Sequence, residues 1–175
     1  MPTGKKQKPI PPEIVFRETL AVDLKEAVKM LAKDPSLIDA IVYGTETSLH
    51  YWSVENRPDI VAWLLERGAD PNRNSEISSP LMDAASLGRA EVCKALVEAG
   101  ANPAWRDSNS ETALHKAASN GSTVVCLLLI DAGAELNATE ICGETPWDQA
   151  LPRKCREIRD LLEKHGAKPT DQPIE

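Results

Sequence analysis

The chain has 175 residues, with 27 Asp and Glu against 20 Lys and Arg, a net charge of −7, and only four Trp, two Tyr and one Phe. That length fits one domain, and the acidic balance argues against a nucleic-acid partner. The longest uninterrupted apolar run, Val124 to Ile130, is far too short to span a bilayer, so no membrane association is expected.

Residues 1–12 carry Lys5, Lys6 and Lys8 with no apolar h-region. They read as a disordered, solvated tail and not as a secretory signal, which points to the cytoplasm. Ile14 to Ala21 and Asp23 to Asp39 read as two helices. From Leu49 onward two landmarks keep step: Leu49, Leu81, Leu114 and Trp147 stand 32, 33 and 33 residues apart, and so do Gly68-Ala69, Gly100-Ala101, Gly133-Ala134 and Gly166-Ala167. A shared period of that length predicts stacked supersecondary units with an extended concave surface.

The third unit shows the grammar most fully. Thr112 is a good N-cap, Leu114, Ala117 and Ala118 give a short helix one small apolar face, and Gly121 ends it. Ser122 to Asp131 should be a second helix, broad in its apolar surface, stopped by Gly133, with 134–139 extended toward the next unit. Pro80 and Pro146 suit first helical positions. The turns between helices fall on Asn56, Gly88, Gly121 and Lys154. Lys154 suits a left-handed turn poorly, so the fourth unit should be the least regular.

This unit, with T-x-L-H at Thr47–His50 and Thr112–His115 and L-L-x-x-G-A at Leu64–Ala69, resembles the ankyrin repeat. The resemblance covers about residues 14–168. It implies an all-α solenoid of helix–turn–helix units with β-hairpin-like loops: a degenerate cap at 13–41, repeats at about 42–73, 74–106, 107–139 and 140–168, and tails at 1–12 and 169–175. The cap helices lie 33 residues ahead of the first unit, Val28 and Leu31 matching Val61 and Leu64. Glu163 replaces the apolar Leu65, Val97 and Ile130, as befits a last unit facing water.

No catalytic signature is present. His50 and His115 belong to T-x-L-H, where the resemblance implies a structural tie between loop and helix, and His165 should serve a helix C-terminus. Cys93 and Cys126 occupy one slot on successive helices, too far apart for a disulfide. Neither those two nor Cys142 and Cys155 have zinc spacing. No metal and no cofactor are expected.

What remains is a surface. The resemblance implies that loop tips and first helices face a partner, and it carries over unit by unit. Tyr43, Glu46, Tyr51 and Glu55 come from the first unit and Glu76 and Asp83 from the second. The third gives Trp105, Arg106, Glu111 and Asn120, and the fourth Glu144. Tyr43, Tyr51 and Trp105 are the expected anchors. Trp52 replaces a small alanine and should pack against the cap. Trp63 and Trp147 should be buried. The acidic balance of this face favours a basic partner. The expected role is a non-enzymatic protein-binding module, adaptor or inhibitor, monomeric when free. An immunity-type protein occluding a toxin's active site, a small-ligand or enzymatic role, and self-association through the cap stay open.

Overall fold

The computed structural model describes residues 10–73, 75, 77–150 and 156–170. Lys154, Cys155 and Glu76, all invoked above, lie outside the described residues, as do most of the two expected tails.

The cap holds α1 (Pro12–Leu20) and α2 (Leu24–Lys33). Pro12 begins α1 at a position where its missing N–H costs nothing. The Asp23 carboxylate caps α2, accepting from the Lys25 and Glu26 amides at 3.0 and 3.1 Å. The single helix expected over 23–39 is corrected here. Asp34 is extended at φ −140°, Pro35 follows it, and Pro35–Asp39 forms a separate 3₁₀ turn. Proline can neither donate to a continuing helix nor leave its predecessor helical. The register expected for the cap is also corrected: Ala27 is the buried residue and Val28 is 44% exposed, whereas Val61 is fully buried.

Antiparallel β1 (Ile41–Tyr43) and β2 (Glu46–Thr47) pair Ile41 with Thr47 and Tyr43 with Glu46. The helices that follow alternate between two layers. First helices are α3 (Ser48–Val54), α5 (Pro80–Ser86), α7 (Ala113–Asn120) and α9 (Pro146–Gln149). Second helices are α4 (Pro58–Glu66), α6 (Ala90–Glu98), α8 (Thr123–Asp131) and α10 (Arg156–Lys164). Each first helix packs on the next first helix, and each second helix on the next second helix. The result is the expected all-α solenoid.

Thr47, Ser79, Thr112 and Thr145 are the N-caps of the four first helices. Asn56, Gly88 and Gly121 turn between helices at φ 55°, 67° and 85°. The loop over 134–139 is not continuously extended. It turns at residues 136–137, and β1 with β2 is the one strand ladder among the described residues.

Val61 and Leu64, Val92 and Leu96, Val125 and Leu129, and Ile158 and Leu162 are the buried pairs of the second helices. Ala84, Ala85, Ala117 and Ala118 let the first helices approach closely. Trp52 is buried in one cluster with the cap's Phe16, Leu20 and Leu37. Trp63 and Trp147 depart from expectation, since both are half-buried. Each ring carries a guanidinium on its outer face, Arg67 at 3.9 Å and Arg159 at 4.3 Å. The Trp147 indole N–H donates to Glu163 at 2.9 Å. An indole keeps its polar end at the surface when a partner waits there, and Glu163 supplies one.

Candidate functional site

The loops and first helices make the face on which the expected residues fall. The first tip is closed by the β1–β2 ladder, and the three that follow are shaped by side chains. The Asp107 carboxylate accepts from the amides of Asn109 and Glu111, both at 2.9 Å. Glu140 does the same for Cys142 at 2.7 Å and Glu144 at 3.0 Å. Those two amides hold the Glu140 carboxyl below its ordinary range. Ser75 performs the role with its hydroxyl, accepting from Ser78 at 2.8 Å and Ile77 at 3.2 Å. Two of these tips lift apolar side chains into solvent, Ile77 at 73% and Ile141 at 66% exposed, and the β1–β2 hairpin does the same with Tyr43 at 60%.

The histidines of T-x-L-H tie this scaffold together. His115 Nδ1 accepts from the Thr112 amide at 3.1 Å and faces its hydroxyl at 2.9 Å, which leaves Nε2 to donate to the Glu144 carbonyl of the next unit at 3.3 Å. His50 accepts from the Thr47 amide at 3.2 Å in the same way. Its Nε2 faces the Ser78 carbonyl side without reaching hydrogen-bond geometry. Burial pulls His50 down to about 4, the Ser78 carbonyl opposing it, and burial lowers His115 too. Neither ring is exposed, so both act as neutral struts. Asp148 takes the histidine's place in the fourth unit, accepting from the Thr145 amide at 2.8 Å and from Thr170 of the following segment.

The expected anchors differ in availability. Tyr43 is exposed at its tip, whereas Tyr51 is half-buried and set edge-on to Trp52, centroids 4.9 Å apart. The Arg17 guanidinium of the cap lies over both tyrosine rings, 5.3 Å from Tyr43 and 4.4 Å from Tyr51. Sequence reasoning missed Arg17, because nothing in a degenerate cap helix marks one arginine as inward. Trp105 is half-buried against the core.

The charged residues divide as well. Glu46, Glu55 and Glu144 are exposed. Asp83 on α5 is half-buried, and burial pushes its carboxyl up to about 6, with nearby Glu46 adding to the effect. In the third unit the Lys116 ammonium sits between Asp107, at 3.1 Å, and Glu111. Burial would lower Lys116, but the two carboxylates outweigh it and hold its pKa above the ordinary value. Glu111 is therefore already neutralised. Arg106 donates to the Thr139 carbonyl at 2.9 Å and to Glu135 at 3.0 Å, so it braces neighbouring loops. Asn120 abuts the turn at Gly88: a Cβ on that glycine would lie 2.8 Å from its Oδ1. Position in the repeat could not reveal these internal uses.

The face thus runs from an apolar, acidic end at Tyr43, Glu46, Ile77 and Asp83 to a self-neutralised third unit and a small apolar tip at Ile141. Among the described residues no three His, Cys, Asp or Glu side chains are grouped to hold a metal, and no helix is long and apolar enough to cross a membrane. Cys93 and Cys126 are both buried, with Cys93 pushed up to about 12 by burial.

Comparison with known proteins bears on this repeat architecture. Residues 81–173 match the family model described as ankyrin repeats (3 copies), and residues 44–73 match the one described as ankyrin repeat. Among curated proteins, the chain is 33% identical over 114 residues to a glycerophosphocholine phosphodiesterase of Schizosaccharomyces pombe, covering 63% of this chain and 10% of that protein. It is 37% identical over 95 residues to the E3 ubiquitin-protein ligase XB3 of Oryza sativa subsp. japonica, covering 53% of this chain and 21% of the ligase. Over 88 residues it is 38% identical to the E3 ubiquitin-protein ligase hecd-1 of Caenorhabditis elegans, covering 45% of this chain and 3% of the ligase. The chain spans about a tenth of the length of the first relative, about a fifth of the second and far less of the third.

Proposed function

We propose, from the premise that the chain belongs to the ankyrin-repeat family, that it binds a basic surface of another protein through its loop tips and first helices, as an adaptor or inhibitor. Ankyrin repeats are non-catalytic modules of protein–protein interaction. The finer reading rests on one observation: Tyr43, Ile77 and Ile141 are exposed on loop tips, the first closed by the β1–β2 ladder and the other two by side-chain hydrogen bonds. Apolar groups fixed before binding lose little conformational entropy when covered. Exposed Glu46 and Glu55 and half-buried Asp83 border the first two tips and would favour encounter with lysine- and arginine-bearing surfaces. In this reading Tyr43 is the chief anchor, half-buried Tyr51 shares the Arg17 guanidinium with it, half-buried Trp105 contributes at the third unit, and Glu144 borders the last tip. The protein works as a monomer in the cytoplasm. The enzymes among its relatives share the repeats alone with it, so their activities are not carried over.

Quantitative affinity capture from native lysate tests this, comparing the wild type with a Tyr43→Ala/Ile77→Ala/Ile141→Ala variant. All three side chains are exposed, so the fold should be unaffected. Proteins captured by the wild type should fall at least about tenfold in the variant, as expected when interface anchors are truncated. Undiminished capture would reject the assigned face.

A further inference from the structure

Equivalent outward positions on the four second helices form a pattern, and α8 breaks it. Nine residues before each repeat-ending glycine stand Asp59, Glu91, Val124 and Glu157, and six before it stand Ala62, Lys94, Leu127 and Asp160. Val124 is 64% exposed and Leu127 42%, where α6 and α10 present charges. The inner side of α8 holds buried Val125, Cys126 and Leu129, and its shoulders hold half-buried Leu128 and Ile130. A helix apolar on every side is ordinarily covered on every side. The stack covers this one only from within and from the flanks, where α6 and α10 pack against it.

The surroundings specify what could cover the rest. Exposed Glu91 and Glu98 lie on α6, Asp131 ends α8, and Glu157 begins α10. None of these four carboxylates has a cation within ion-pair distance among the described residues. Asp160 meets Arg156 at 4.0 Å across open surface, a weak pair. With Lys94 and Lys164 counted, five carboxylates stand against three cations here among the described residues.

We propose that the outer face of α8 is a second docking surface, which takes an amphipathic helix of a partner protein, apolar on one side and lysine- or arginine-rich along its flanks. Val124 and Leu127, spaced i and i+3, form a ridge that fits the groove of a crossing helix. A helix about 10 Å wide laid there overhangs both neighbours, bringing its flanks to Glu91 and Glu98 on one side and Glu157 on the other. The same carboxylates would repel an anionic membrane. This surface belongs to the second-helix layer and is separate from the tip-and-first-helix face proposed above.

The test uses fluorescence anisotropy of a labelled leucine–lysine peptide about five helical turns long, a leucine–glutamate twin, and the full chain. The leucine–lysine peptide should bind saturably. A Val124→Gln/Leu127→Gln variant of unchanged melting temperature should bind it at least about tenfold more weakly, about 1.4 kcal/mol. The tip variant, Tyr43→Ala/Ile77→Ala/Ile141→Ala, should bind it as the wild type does. Five results would each overturn the proposal: no saturable binding; equal binding of the acidic twin; an α8 variant indistinguishable from wild type; loss of the peptide in the tip variant; or dimerisation of the protein alone that the α8 variant abolishes, which would make a second copy the occupant.

Discussion

Between the third and fourth units, His115 crosses to the Glu144 carbonyl, and Asn137 crosses to the Gly166 carbonyl at 3.4 Å and the Lys168 amide at 2.8 Å. Between the second and third, the same two positions hold Met82 and Ala104, whose side chains can make neither bond. There Arg106 spans the loops instead, reaching Thr139 and Glu135. Fully buried Ala84, Ala85, Ala117 and Ala118 bring α5 against α7. Gly88, at φ +67°, lets Asn120 approach to where a Cβ would lie 2.8 Å from its Oδ1. One backbone geometry is thus held by side-chain hydrogen bonds at one seam and by close approach plus an exposed guanidinium at the other. The register of a repeat stack does not depend on the motif residues being present in every unit.

Copying one seam into the other is the strongest probe. His115→Met gives the third unit the residue of the second. It removes a fully buried ring that accepts from Thr112 and donates to Glu144, and the seam has no Arg106 counterpart to compensate. Stability should fall by about 1–3 kcal/mol, the cost of stranding buried polar groups, read from the midpoint of urea unfolding. A loss close to zero would mean that the tie is ornamental and that packing alone sets both seams.

The first and second units add a seam where protonation can be read. His50 is held down to about 4 by burial, so its contribution to stability is present above its ordinary value of 6.5 and is lost as pH falls through about 4. Asp83, raised to about 6 by burial with Glu46 adding, contributes in the opposite sense: fully below its ordinary value of 3.8, and lost as pH rises through about 6. The two oppose each other between about pH 4 and 6. Asp83→Asn should raise stability at pH 7 by on the order of 1 kcal/mol. It should also steepen the decline on acidification, because the histidine then acts alone. An unchanged pH profile would show that Asp83 is freely hydrated.

The repeat frame was legible because its signals are local and periodic: Thr112 as a cap, Gly121 as a left-handed turn, Gly133 as a stop, each recurring in step. The cap helices were less so. Val28 and Leu31 sit at the right distance from Val61 and Leu64, yet a terminal unit buries one side only, and Asp34-Pro35 outweighs the apolar spacing. Trp63 and Trp147 read as core from their slots, because the sequence does not show Arg67 and Arg159 lying over their rings. The candidate face could be placed by position, but not its allocation of charge. Lys116 is five residues from Glu111 and nine from Asp107, and only the folded loop brings all three together.

The weakest expected effect bears most directly on that allocation. Arg106 is an exposed brace, 37% accessible and paired with Glu135 at 59%, so Arg106→Ala should cost less than about 1 kcal/mol and less still at high salt. Ala104→Asn should restore the amide tie that Asn72 makes to Gly100 at 2.9 Å and Asn102 at 2.7 Å, adding about 0.5–1.5 kcal/mol. If the two devices serve one purpose, Arg106→Ala should cost less in the Ala104→Asn background than alone, which a double-mutant cycle of urea midpoints measures. Strict additivity would instead make the arginine's loop contacts incidental to the seam. Its guanidinium would then be available to a partner, as its position in the repeat first suggests.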